Sequence, residues 1–153
     1  MAGTAANTIE LAREEGQSIW LDFINREILI NGRLKSLVEK GIGGLTSNPS
    51  IFQGAIANGS DYDQDLARLA AEGKDANSIY EALAIKDIAD AADVFRPVFD
   101  RTGGRDGFVS IEVDPQIASE TGTTVSEGLR LFKTVDRPNV LIKVPATPEG
   151  IPA

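Results

Sequence analysis

Apolar residues recur along this chain with two alternating periods, and each change of period marks a border between strand and helix. Residues 18–24 (Ser18-Ile19-Trp20-Leu21-Asp22-Phe23-Ile24) form an aromatic and branched run that predicts a first strand, after a short charged amphipathic lead-in over 9–15. Leu34, Leu37 and Val38 are spaced as one face of a helix, with Lys40 in its last turn and Gly41 placed to end it. A second strand over 43–47 runs into Asn48-Pro49-Ser50, where the proline pushes Asn48 into an extended conformation and ends the strand in a defined loop. Residues 51–57 and 61–71 read as helices. Over 78–100, Ile79, Leu83, Ile88, Ala92, Phe95 and Phe99 recur every three to five positions, which predicts an amphipathic helix, and Ser78 with Glu81 is spaced as its capping box.

After a turn cluster at 102–107 comes a third strand over 108–114, in which polar and apolar residues alternate. Thr124 and Glu127 are spaced to cap the next helix, with Val125, Leu129 and Phe132 as its buried stripe and Pro138 beyond its end. The fourth strand is Asn139-Val140-Leu141-Ile142-Lys143-Val144, leading into Pro145-Ala146-Thr147. Strands alternating with helices predict right-handed βαβ units, a parallel sheet and an α/β fold. Side chains alternate across a strand, so Val109, Ile111 and Val113 oppose Ser110, Glu112 and Asp114, and Val140, Ile142 and Val144 oppose Leu141, Lys143 and Pro145. With the branched faces under helices, Asp22, Glu112 and Lys143 share the other face of one sheet. Each lies near its strand's C-terminal end, where an α/β barrel builds its active site.

Lys143 carries the chemistry. It is a lone cation in a β-branched run of the kind buried on both faces of a parallel sheet. Desolvation favours the neutral amine, and a neutral amine is the nucleophile that Schiff-base chemistry on a carbonyl needs. The competing reading is a lysine at a strand edge whose ammonium reaches solvent along its aliphatic stem. Asp22 has the competing role of capping the following helix, and Glu112 that of a plain ion-pair partner for Lys143.

Composition narrows the chemistry further. The chain has no histidine and no cysteine, which removes Ser-His-Asp and Cys-His nucleophile pairs and His-ligated zinc. Carboxylates alone can still hold magnesium or calcium, an option kept for Glu112 and Asp114. Lys and Arg number 15 against 23 Asp and Glu, and this acidic balance argues against a nucleic-acid partner. No phosphate-cradling or dinucleotide glycine motif is present; Gly41, Gly43 and Gly44 lack the last glycine. Absence of a signal-like N-terminus, of a membrane-length apolar run and of cysteine predicts a soluble, cytoplasmic protein, in which the sequon Asn58-Gly59-Ser60 has no meaning.

Four motifs, in order, carry a family likeness. Trp20-Leu21-Asp22, Leu45-Thr46-Ser47-Asn48-Pro49-Ser50-Ile51-Phe52, Val109-Ser110-Ile111-Glu112-Val113-Asp114-Pro115 and Leu141-Ile142-Lys143-Val144-Pro145-Ala146-Thr147 resemble successive strand motifs of transaldolase, most closely the subgroup also found fused to glucose-6-phosphate isomerase. The resemblance implies a (β/α)8 TIM barrel without cofactor or metal, which moves a dihydroxyacetone unit between sugar phosphates in the pentose phosphate pathway. It further implies Lys143 as the Schiff-base lysine, Asp22 as the acid/base aspartate, Glu112 as the glutamate acting through a water, and Thr46, Asn48 and Ser110 as residues lining the substrate pocket. The chain stops just after the fourth strand, so residues 1–153 are expected to be the N-terminal part of one barrel domain, covering about its first four βα units. Unpaired outer edges on the first and fourth strands then predict self-association. Two alternatives stand beside transaldolase: a related lysine aldolase cleaving fructose 6-phosphate, and a catalytically silent half-barrel serving as an assembly module.

Overall fold

Four short apolar runs pair side by side in chain order. In the computed structural model, which describes residues 8–153, β1 (Trp20–Asp22), β2 (Gly44–Thr46), β3 (Val109–Glu112) and β4 (Val140–Lys143) form one sheet in the order β1-β2-β3-β4, with every pair parallel. The helices are α1 (Thr8–Glu14), α2 (Arg26–Ile30), α3 (Arg33–Glu39), α4 (Pro49–Asn58), α5 (Asp63–Ala71), α6 (Ala76–Thr102) and α7 (Thr121–Val135), with a 3-10 turn at Pro115–Ile117. This is an α/β architecture matching part of a (β/α)8 barrel, with the strands in barrel order.

The core lies on one side of the sheet. Leu45, Val109, Ile111 and Val140 point into it and meet Ile88, Ala91, Ala92 and Phe95 of α6 and Leu131 and Val135 of α7, all buried. Each fully buried Val, Leu, Ile or Phe contributes roughly 1.5–3 kcal/mol by leaving water. Asn139, fully buried just before β4, donates its amide to Ala92 O at 2.8 Å and Gly107 O at 2.9 Å, tying α6 to the entries of β3 and β4. This side-chain alternation is the one predicted, so the polar positions of all four strands emerge on the opposite face.

Several expectations are corrected. β1 is confined to Trp20–Asp22, and the chain beyond it turns into α2, which Asn25 caps by accepting from Ile28 N–H at 3.0 Å. α6 is capped by Asp75, whose carboxylate accepts from Ser78 N–H at 2.8 Å, so Ser78 and Glu81 are inside the helix and form no capping box. α7 begins at Thr121, three residues before the anticipated cap; the Thr124 hydroxyl instead donates to Ile117 O at 3.1 Å. Its buried face is Thr124, Leu131 and Val135, whereas Val125, Leu129 and Phe132 point away from the sheet and are exposed. β4 is covered on one side only: Leu141 is 41% exposed on the face opposite the helices.

Candidate active site

Strand register sets the layers of the uncovered face. At its floor the Trp20 indole lies over Gly44, where a Cβ would come within 2.5 Å of the ring, and donates to Ser18 Oγ at 2.9 Å. Ser18 in turn donates to the Asp106 carboxylate at 2.8 Å. One step up, Asp22 pairs with Thr46, and the Leu45–Val109 pairing puts Thr46 level with Ser110, which pairs with Leu141. One step higher again, Glu112 sits beside Lys143. Parallel strands place these residues at the C-terminal rim together.

Two pairs result. The Lys143 ammonium donates to Ser47 O at 2.9 Å and lies 3.2 Å from Glu112 Oε2. The Lys143 side chain is 39% exposed, so it is held by a carbonyl and a carboxylate rather than enclosed in apolar contacts. Among the described residues β4 is the last strand of the sheet, and its outer side carries no paired neighbour. Asp22 accepts from the Thr46 hydroxyl at 2.6 Å and caps no helix, since Asn25 does so for α2. The pairs do not touch: Asp22 and Lys143 are three strands apart, ~14 Å along a flat sheet.

The remaining candidates have mixed roles. Asn48 is extended, and its Oδ1 caps α4 by accepting from Ile51 N–H at 2.9 Å; its NH2 donates to no protein group among the described residues. Ser110 is buried, and among the described residues its hydroxyl is reached only by Ser47 N–H at 3.4 Å. Ser47 was not singled out from the sequence, yet it closes the site. Its hydroxyl donates to Ser110 O at 2.7 Å, locking β2 to β3 beyond their last paired residues, and its own carbonyl then receives Lys143. That role is played by a backbone atom, which no side-chain pattern announces.

Arg26 was missed for a different reason: a charged residue gives no apolar signal. It is buried immediately after β1, with Nε and Nη2 on Asp87 at 3.0 and 2.9 Å and Nη1 on Asp65 at 2.6 Å. Its guanidinium lies 4.5 Å over the Tyr62 ring, and the Tyr62 hydroxyl accepts from Arg26 N–H and donates to Asp87 Oδ2 at 2.8 Å. Burial pushes the Asp87 carboxyl up, with the Tyr62 hydroxyl and Arg26 opposing the shift. Burial and then the Asp87 charge push the Tyr62 phenol up. The cluster pins the segment leaving Asp22 to α5 and α6.

Chemically, the rim offers an amine in direct proton-exchange distance of one carboxylate and a second carboxylate polarised by a hydroxyl. For the divalent-cation option, Glu112 is engaged with Lys143, and Asp114 accepts from Gln116 N–H at 2.9 Å at the start of the 3-10 turn. No group of three or more potential ligands gathers among the described residues. Also among these residues, no helix is long and apolar enough to cross a membrane.

Residues 19–153 match the family model described as Transaldolase/Fructose-6-phosphate aldolase. A Transaldolase of Thiobacillus denitrificans is 53% identical over 139 residues, covering 90% of this chain and 39% of that protein. One of Trichodesmium erythraeum is 50% identical over 139 residues, covering 90% of this chain and 37% of its own length. Transaldolase 1 of Streptomyces avermitilis is 49% identical over 154 residues, covering 98% of this chain and 41% of its own length. The chain thus spans about two fifths of the length of these curated relatives. A match over nearly the whole chain, with relatives at this identity, makes it a member of the Transaldolase/Fructose-6-phosphate aldolase family.

Proposed function

We propose that this chain is the N-terminal part of a transaldolase barrel domain, and that the whole protein transfers a dihydroxyacetone unit from a ketose phosphate to an aldose phosphate in the cytoplasm. The observation that carries this reading is the Lys143–Glu112 pair on the same rim as the Asp22–Thr46 pair. The relatives' name, Transaldolase, supports it.

Lys143 adds as the neutral amine to the donor's ketone carbon. Glu112, through a water, assists the proton transfers as the carbinolamine loses water to leave a protonated imine. Asp22 takes the proton of the C4 hydroxyl, the C3–C4 bond breaks, and its electron pair moves into the imine to give an enamine. The aldehyde half leaves. The enamine carbon then attacks the acceptor aldehyde, Asp22 returns the proton to the new hydroxyl, and water releases the product from Lys143. Thr46 holds the Asp22 carboxylate, and the free NH2 of Asn48 is available to a sugar hydroxyl, with Ser110 beneath it.

Aldol cleavage of fructose 6-phosphate by the same groups is the second reading, favoured by the family's shared description. A coupled assay of the complete protein with fructose 6-phosphate, with and without an aldose phosphate, separates the two. Transfer requires the acceptor; equal aldehyde release without acceptor sinks transaldolase in favour of the aldolase.

A further inference from the structure

Behind the rim, between α4, α6 and the segment following β3, lies a cleft of about 670 Å³. This volume is within the range of sites for small organic ligands. Ser47, Asn48 and Glu112 line the side nearest the rim and are common to both, whereas Asp22, Thr46, Ser110 and Lys143 do not line the cleft, which extends behind the rim. Its base is apolar, built from Phe52, Tyr80, Leu83 and Leu131, with the Tyr80 ring edge-on to Phe52 at 6.3 Å between centroids.

The polar lining has one sign. Glu81, Glu112, Asp114 and Glu127 are in its wall, and no lysine or arginine is. Two cations outside the lining offset part of this charge: Arg130 holds Glu81 and Glu127, and Lys143 holds Glu112. Asp114 forms no ion pair among the described residues. Four carboxylates against two cations leave the cleft negative. Tyr80 adds a hydroxyl with no hydrogen bond among the described residues, and burial first, then the charges of Glu112 and Asp114, push its phenol up. An aromatic or alkyl ammonium matches such a wall, with ring or chain on the apolar base and cation toward Asp114 and the aromatic faces.

We propose that this cleft is a second binding site, for an apolar organic amine, sharing Glu112 as a wall with the candidate catalytic rim. It does not depend on the transaldolase reading, because binding is measured without turnover. The test is a titration of the 15N-labelled complete protein with phenethylammonium, 2-phenylethanol and 3-phenylpropionate, followed by NMR shifts. The amine is expected to move the signals of Gln53, Asn77 and Tyr80 and to bind about fivefold or more tightly than the alcohol, with the carboxylate weakest. Asp114→Asn retains the capping oxygen and removes the charge, and should weaken the amine several-fold while leaving the alcohol unchanged. Ala57→Phe, an exposed change at the mouth, should block all three. Equal affinity of amine and alcohol, shifts confined to the outer face of α7, or an Ala57→Phe chain that binds as before would each overturn the proposal.

Discussion

Replacing Arg26 by Met tests how the strand carrying Asp22 is held. The substitution keeps most of the aliphatic volume but strips Asp87, which is fully buried, of two hydrogen bonds and its charge partner, leaving only the Tyr62 hydroxyl. Removing one partner of a buried ion pair costs about 3–5 kcal/mol, chiefly because the other charge stays buried and uncompensated. The Arg26–Asp65 contact is less enclosed and adds at most about 1 kcal/mol. Denaturant unfolding followed by circular dichroism should therefore show a loss of about 3–5 kcal/mol at neutral pH. The sign of its pH dependence follows from Asp87, whose carboxyl burial already pushes up in the folded chain. Without Arg26 the folded state binds that proton more tightly still, so the deficit grows as pH rises above the ordinary carboxylate range and shrinks on acidification. Adding Asp87→Leu removes the orphaned charge and should recover at least ~1 kcal/mol over Arg26→Met alone. A loss below ~1 kcal/mol, or a double variant worse than the single one, would show that the cluster is no coupled anchor.

In the complete protein, Asp22→Asn should permit imine formation but slow carbon–carbon cleavage, and Glu112→Gln should slow imine formation, each by roughly 10²–10⁴ in rapid-mixing traces; delay of one shared step would undo that division of labour. Gly44→Ala places a methyl group within 2.5 Å of the Trp20 ring and 2.8 Å of Phe108 O, so it should cost about 1–3 kcal/mol and shift the emission of the single tryptophan, whereas an unchanged spectrum would contradict the packing of the floor. The exposed Val125, Leu129 and Phe132, beside a sheet whose β1 and β4 outer edges are unpaired among the described residues, should make the 153-residue chain self-associate. Light scattering should show that association reduced by Leu129→Lys with Phe132→Lys, and a monodisperse monomer of the unaltered chain would contradict it.

Strand identity and face were legible because the period of two leaves little choice: once Val109, Ile111 and Val140 face helices, Glu112 and Lys143 must share the opposite side. Helix faces were less legible. In α7 two stripes have helical spacing, and the more apolar one, Val125-Leu129-Phe132, loses because Thr124 satisfies its hydroxyl on Ile117 O and can be buried with Leu131 and Val135. The α6 cap was misread because Asp75 and Ser78 are both competent caps and only backbone geometry chooses between them. α2 is five residues long, and with the buried Arg26 cluster it depends on partners 36 to 61 positions away, which no local pattern contains. At the rim, side-chain parity placed Lys143 and Glu112 together but could not reveal the Ser47 carbonyl that fixes the ammonium.

The role of Lys143 is tested most directly by borohydride reduction in the presence of fructose 6-phosphate, followed by peptide mass spectrometry of the complete protein. A reduced sugar adduct should appear on Lys143 and vanish in Lys143→Arg, whose guanidinium remains protonated and cannot form the imine. An adduct on another lysine, or one that persists in Lys143→Arg, would contradict the assignment.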